Sequence, residues 1–162
     1  MKIQEYRFAY ECFESSDSLS PTDAELLLQA RQSIAQAYAP YSRFRVAAVA
    51  RISDGQTITG TNQENASFPA GICAERTLLS TYSSLHEPGV FIVSIAISYH
   101  NVQGNSGHPI SPCGICRQSL QEFELRQQKP IRLILGGQSG PVYIISSASQ
   151  LMPLAFTGDE LK

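Results

Sequence analysis

Two short stretches of this chain carry residues that can hold a metal and use it: Cys73-Ala74-Glu75-Arg76 and, further along, Pro112-Cys113-Gly114-Ile115-Cys116-Arg117-Gln118. Three cysteine thiolates are soft ligands suited to zinc, and a glutamate two residues after the first of them supplies an acid/base. No fourth protein ligand is evident. A structural zinc is usually closed by four protein groups, whereas a catalytic one keeps a position for water or substrate. The set therefore points to chemistry: zinc acidifies a water in the open position, and a neighbouring carboxylate can carry the proton.

Such a site needs elements that bring the two stretches together. Cys113 and Cys116 are spaced to lie on one face of a first helical turn, and Pro112 suits a helix entrance because it has no N–H to leave unpaired. Cys73 and Glu75 would diverge inside a helix but can both address a site lying off a helix end. The metal is therefore expected between two helix N-termini, whose partial positive charge stabilises thiolate. Three thiolates overcompensate a divalent ion, so something must withdraw charge. Arg76 and Arg117, each beside a ligand segment, can do so by donating to sulfur, as can the two helix ends.

At 162 residues with 43% hydrophobic content the chain reads as one soluble globular domain. Its 12 basic and 14 acidic residues leave a net charge of −2, which gives no footprint for nucleic acid or an anionic membrane and favours a small uncharged substrate. No apolar run approaches a membrane span and the polar start lacks a signal-peptide core, so a cytoplasmic protein is expected. In a reducing compartment the cysteine spacing reads as metal binding, with Cys12 left over as an uninvolved thiol.

Residues 1–20 are mixed in character and end in the polar run Ser15–Ser20, read as a loop or linker; 21–162 forms the catalytic domain. A helix starts at Ser20-Pro21-Thr22-Asp23, buries Leu26, Leu27, Ala30, Ile34 and Ala37, and ends before Pro40. Phe44–Ile52 and Thr57–Gly60 make a hairpin across Ser53-Asp54-Gly55-Gln56. A loop from Asn62 to Gly71 leads to a helix from Cys73 to about His86. Val90–Ser98 is the candidate central strand, His100–Ser111 a polar surface loop, and Cys113 to about Gln127 the third helix. Strands at Ile131–Leu135 and Val142–Ile145 follow, then a short helix and an ordered aromatic. The alternation implies an α/β layered domain.

Cys73-Ala74-Glu75 with Pro112-Cys113-Gly114-Ile115-Cys116 resembles the zinc-deaminase signature in its all-cysteine form, with a non-ligating glutamate as proton shuttle. Beyond it, Pro40-Tyr41-Ser42-Arg43-Phe44, Asn62-Gln63-Glu64-Asn65-Ala66, Gly71–Thr77, Ser111–Gln118 and Leu151–Phe156 are similar to runs in the small homotetrameric cytidine deaminases, over residues 22 to 161. The resemblance implies a three-layer α/β/α fold with a mixed five-stranded sheet. It implies one zinc per subunit on Cys73, Cys113 and Cys116, Glu75 as proton shuttle, and hydrolytic deamination of cytidine or deoxycytidine in pyrimidine salvage. Arg76 takes the charge-tuning role. Asn62 and Glu64 match the ribose grip and Phe44 the aromatic near the base; Ala74 and Glu75 read the cytosine edge. Phe68, where the family often has tyrosine, and Phe156 match residues that reach a neighbouring subunit's pocket. Ala47 stands where glycine is more usual, and the 100–111 loop is longer than the family's. Other readings stay open: an aminohydrolase on another cytosine-like nucleoside, a C-x-x-C redox pair, or a non-catalytic zinc module closed by His108.

Overall fold

The computed structural model describes residues 1–85 and 89–161. The expected helix end at His86 lies outside the described residues. Six strands, β1 (Glu11–Phe13), β2 (Phe44–Ile52), β3 (Thr57–Thr61), β4 (Ile92–Asn101), β5 (Arg132–Gly136) and β6 (Val142–Ile145), form one sheet in the order β1-β6-β5-β4-β2-β3. Among the paired strands of the described residues, β4 and β5 alone run parallel. A parallel pair needs a crossover, and helix α3 (Gly114–Gln127) supplies it.

Side-chain alternation along each strand divides the core in two. Ala48, Ala50, Ile95, Ile97, Leu133 and Leu135 face α2 (Ala74–Leu85) and α3, meeting Leu78, Leu79 and Leu120. Val49, Ala96, Ile134 and Ile144 face the other way, onto Leu26, Leu27 and Ala30 of α1 (Pro21–Ser33). The result is the expected mixed sheet between helical layers. Helix α1 starts as anticipated: the Ser20 hydroxyl accepts from Asp23 N at 3.2 Å and Pro21 opens the first turn. The β2–β3 hairpin turns through Gly55, whose φ of +88° favours glycine.

The sixth strand comes from the N-terminal stretch of mixed character, just ahead of the Ser15–Ser20 run read as a loop or linker. Glu11, Cys12 and Phe13 pair with Ile144, Tyr143 and Val142, Phe13 packs into the α1-side core, and the Tyr10 ring lies 4.7 Å from that of Tyr143. Three residues of mixed polarity carry no periodicity to read. The strand exists because the β6 edge offers unpaired backbone groups and an aromatic to cover.

Candidate active site

Cys73 directly precedes α2, Cys113 is the N-cap of α3, and Cys116 lies in the first turn of α3. Both helix starts thus meet as expected. Sulfur–sulfur separations are 3.8 Å for Cys73–Cys113 and 3.5 Å for Cys113–Cys116, and all three Sγ atoms lie within 4.8 Å of one another. Zinc–sulfur bonds of about 2.3 Å at tetrahedral angles hold sulfurs about 3.8 Å apart, so the donor set fits one zinc ion. Among the described residues no histidine or carboxylate joins the cluster. His108, the alternative fourth ligand, places its ring nitrogens 3.1 and 3.2 Å from Tyr99 Oη. A zinc ion held by these three sulfurs would keep its fourth position for water or substrate.

The sulfurs share protons unequally. A hydrogen bond from Cys116 brings the Cys73 thiol down to about 6, against burial and the Glu75 charge, with smaller help from Cys113 and the Arg76 charge. Cys116, as the donor and a buried one, is pushed up. Burial raises the carboxyl of Glu75, 5% exposed in the first turn of α2, although its own backbone N–H and the Cys116 thiol favour the ionised form. A carboxyl so placed can both hold and release a proton.

Gly60 of β3 permits this placement. A Cβ there would stand 2.3 Å from Leu78 N and 2.4 Å from Ala74 O, so α2 sits directly on the strand and buries Ala74 and Glu75 against the sheet.

Beside the cysteines opens a cleft of about 590 Å³, lined by Tyr41, Ser42, Asn62, Glu64, Phe68 and Cys73 among others. Asn62 spans the end of β2: its Oδ1 accepts from Val46 N at 2.8 Å and its Nδ2 donates to Phe44 O at 2.9 Å. Each end of that amide keeps one further bonding site. The Glu64 carboxylate accepts from Tyr41 N at 2.8 Å, from Ser42 N at 3.3 Å and from the Ser42 hydroxyl. The Ser42 hydroxyl above all holds it below the usual carboxylate range, so it stays charged. Gln63, between them, pairs in both directions with Ile72, which leads straight into Cys73. That bridge ties the cleft to the cysteine cluster.

Not every residue singled out in the sequence stands in this wall. Phe44, half-buried, flanks the cleft: its ring stacks on Tyr99 with centroids 5.0 Å apart, its N–H donates to Ser42 Oγ and its carbonyl accepts from Asn62 Nδ2. Phe68 lies in the cleft, 76% exposed, edge-on to Tyr41. Phe156 is 58% exposed outside the cleft, its carbonyl accepting from Gln118 Nε2 at 2.9 Å. The guanidinium of Arg76 makes no hydrogen bond to sulfur among the described residues; it lines a groove between α2 and α3 with Arg126, and only its charge reaches Cys73. Arg117 is engaged elsewhere, donating to Pro112 O at 2.9 Å and Leu151 O at 3.2 Å. Tyr41 and Ser42, quoted in the family-like Pro40–Phe44 run but given no role there, become part of the site because Glu64 reaches across to them.

The comparisons with known proteins agree with this geometry. The model of the cytidine and deoxycytidylate deaminase zinc-binding region matches residues 20–129. A cytidine deaminase of Halalkalibacterium halodurans is 38% identical over 136 residues, which is 84% of this chain and 95% of that protein. One of Mycobacterium tuberculosis is 40% identical over 107 residues, 64% of this chain and 74% of that protein. The crystal structure of cytidine deaminase from Burkholderia pseudomallei superposes with a TM-score of 0.70 at 34% identity, covering 85% of this chain and 100% of the other. With the matched region spanning all three cysteines, both helix starts and the cleft, the chain belongs to the cytidine and deoxycytidylate deaminase zinc-binding family.

Proposed function

We propose that the protein hydrolyses the exocyclic amine of cytidine or deoxycytidine, giving the uracil nucleoside and ammonia. The observation that carries this reading is the conjunction of a three-sulfur cluster, no fourth ligand among the described residues, and the buried Glu75 carboxyl beside it. Zinc held by Cys73, Cys113 and Cys116 would supply a Lewis acid that makes water a competent nucleophile near neutral pH. As the water oxygen bonds to C4, Glu75 takes its proton and delivers it to the ring nitrogen; Glu75 then takes the second proton from the new C4 hydroxyl and gives it to the amine, so that the C4–N bond breaks, the carbonyl forms and ammonia leaves. Its burial supports that role, because a carboxyl raised toward neutrality passes a proton in either direction more readily.

The cleft fits the rest of a nucleoside. Glu64, charged and held from behind by Tyr41 and Ser42, accepts from a sugar hydroxyl, and Asn62 offers its remaining N–H. The backbone at Ala74 and the Phe44 ring bound the base. The family, and the outward exposure of Phe68 and Phe156, support a homotetramer with shared sites. We place its work in cytoplasmic pyrimidine salvage; no described helix is long and apolar enough to cross a membrane. Residues 1–20 are an extension outside the catalytic domain that lends it an edge strand. Purified protein mixed with cytidine should show the ultraviolet shift to uridine, and Glu75→Gln should abolish it while zinc content stays near one per chain. Full activity in Glu75→Gln would overturn the assignment.

A further inference from the structure

Past the end of β4 the chain makes a loop, residues 102–112, that leads into Cys113. The loop is pinned. Asn101 N donates to Ser106 Oγ at 2.9 Å, and Gln138 N donates to Ser106 O at 2.7 Å. The β5–β6 turn is shaped for it: a Cβ on Gly137 would stand 2.0 Å from Ser106 O, and one on Gly140 2.2 Å from Gly107 O. Held this way, His108 reaches back to Tyr99 Oη, its ring edge-on at 5.7 Å.

Tyr99 is 1% exposed and lies across from Val46 in the β2–β4 ladder, on the α2/α3 face. Its ring stacks on Phe44 at 5.0 Å and 19°. The hydroxyl has two partners within reach, a ring nitrogen of His108 at 3.1 Å and the acceptor Asn105 O at 3.5 Å, both from this loop. The loop thus orients Tyr99, and Tyr99 is the surface against which the Phe44 ring is held.

We propose that Tyr99 and His108 are positioning residues for nucleoside binding: the 102–112 loop, through their contact, braces Phe44, which flanks the cleft through its bonds to Ser42 and Asn62, as the ring that a bound base meets at the cleft's edge. The inference rests on the nucleoside reading of the cleft. Phe44 would touch the ring in ground and transition state alike, so loosening it raises KM and leaves kcat unchanged.

Tyr99→Phe keeps the buried ring and removes only the hydroxyl; His108→Ala removes an exposed side chain, so both variants fold. Each should raise the KM for cytidine roughly threefold to tenfold, the range one lost hydrogen bond allows, with kcat and zinc content at wild-type values. The double variant should be no worse than either single one, and His108→Gln, which again offers the hydroxyl a partner, should restore KM. The Phe44 ring resonances, displaced by the Tyr99 ring, should shift in both single variants. Unchanged KM with unchanged Phe44 resonances overturns the inference, as does a loss of zinc in step with activity. A wild-type protein inert toward cytidine would refute the nucleoside reading, and the resonances would still decide whether the loop positions Phe44.

Discussion

Glu124 offers a test of how α3 is anchored at the end away from the cysteines. It is buried, and its carboxylate accepts from Ile131 N at 2.6 Å, Ala148 N at 2.8 Å, Ser149 N at 3.0 Å and Ser147 Oγ at 2.9 Å. One side chain thus joins α3 to the start of β5 and to the turn after β6. Glutamine has the same shape but puts an amide NH₂ where one oxygen was. Oε1 takes the two shortest bonds, so the amide oxygen settles there and the nitrogen faces Ser149 N–H, donor against donor. Two charge-assisted bonds weaken by about 1 kcal/mol each, and a buried donor loses its partner at about 1–3 kcal/mol. Glu124→Gln should therefore cost roughly 3–5 kcal/mol, a fall in Tm on the order of 10 °C for a chain of this size. Thermal unfolding of the zinc-loaded protein followed by circular dichroism measures it. Because Cys113 and Cys116 sit at the opposite end of the helix, zinc content and KM at room temperature should match wild type. A Tm unchanged to within about 2 °C, or zinc lost while the variant is still folded, would refute the reasoning.

Gly60→Ala should cost about 3 kcal/mol, because the new Cβ meets the backbone of α2 and not a side chain that can turn away, and kcat should fall with it as Glu75 shifts. Unfolding curves and steady-state kinetics on one preparation check both. Asp23 is bonded by Arg132 at 2.6 and 2.9 Å; burial pushes its carboxyl up, but Arg132 and Ser20 outweigh burial and hold it below 3.8. Its stabilisation is therefore complete above the ordinary carboxylate value and is lost as pH falls through the lowered one. Asp23→Asn should be about 1–2 kcal/mol less stable than wild type above pH 5, with the gap closing below about pH 4 in acid titrations of Tm. Arg76→Ala should lower turnover more than zinc content. Since charge alone links Arg76 to Cys73, Arg76→Lys should restore turnover; a lysine variant as poor as alanine would mean that the guanidinium fork is needed.

Much of the site was legible in the chain because it is written in neighbouring residues. The cysteines with Glu75, the proline and serine at helix starts, the turn at Asp54-Gly55 and the apolar run of β4 act over a few residues, where propensity and spacing decide. These settled the metal chemistry, the three helices and five of the strands. Tertiary structure alone decided what depends on partners far along the chain. It turned Glu11–Phe13 into an edge strand, fastened Glu64 to Ser42, turned Arg76 into the groove between two helices, and carried His108 away from the sulfurs onto Tyr99. The physical reason is that a hydrogen bond or ring contact is chosen from whatever packing brings within reach, and a linear spacing does not encode that choice.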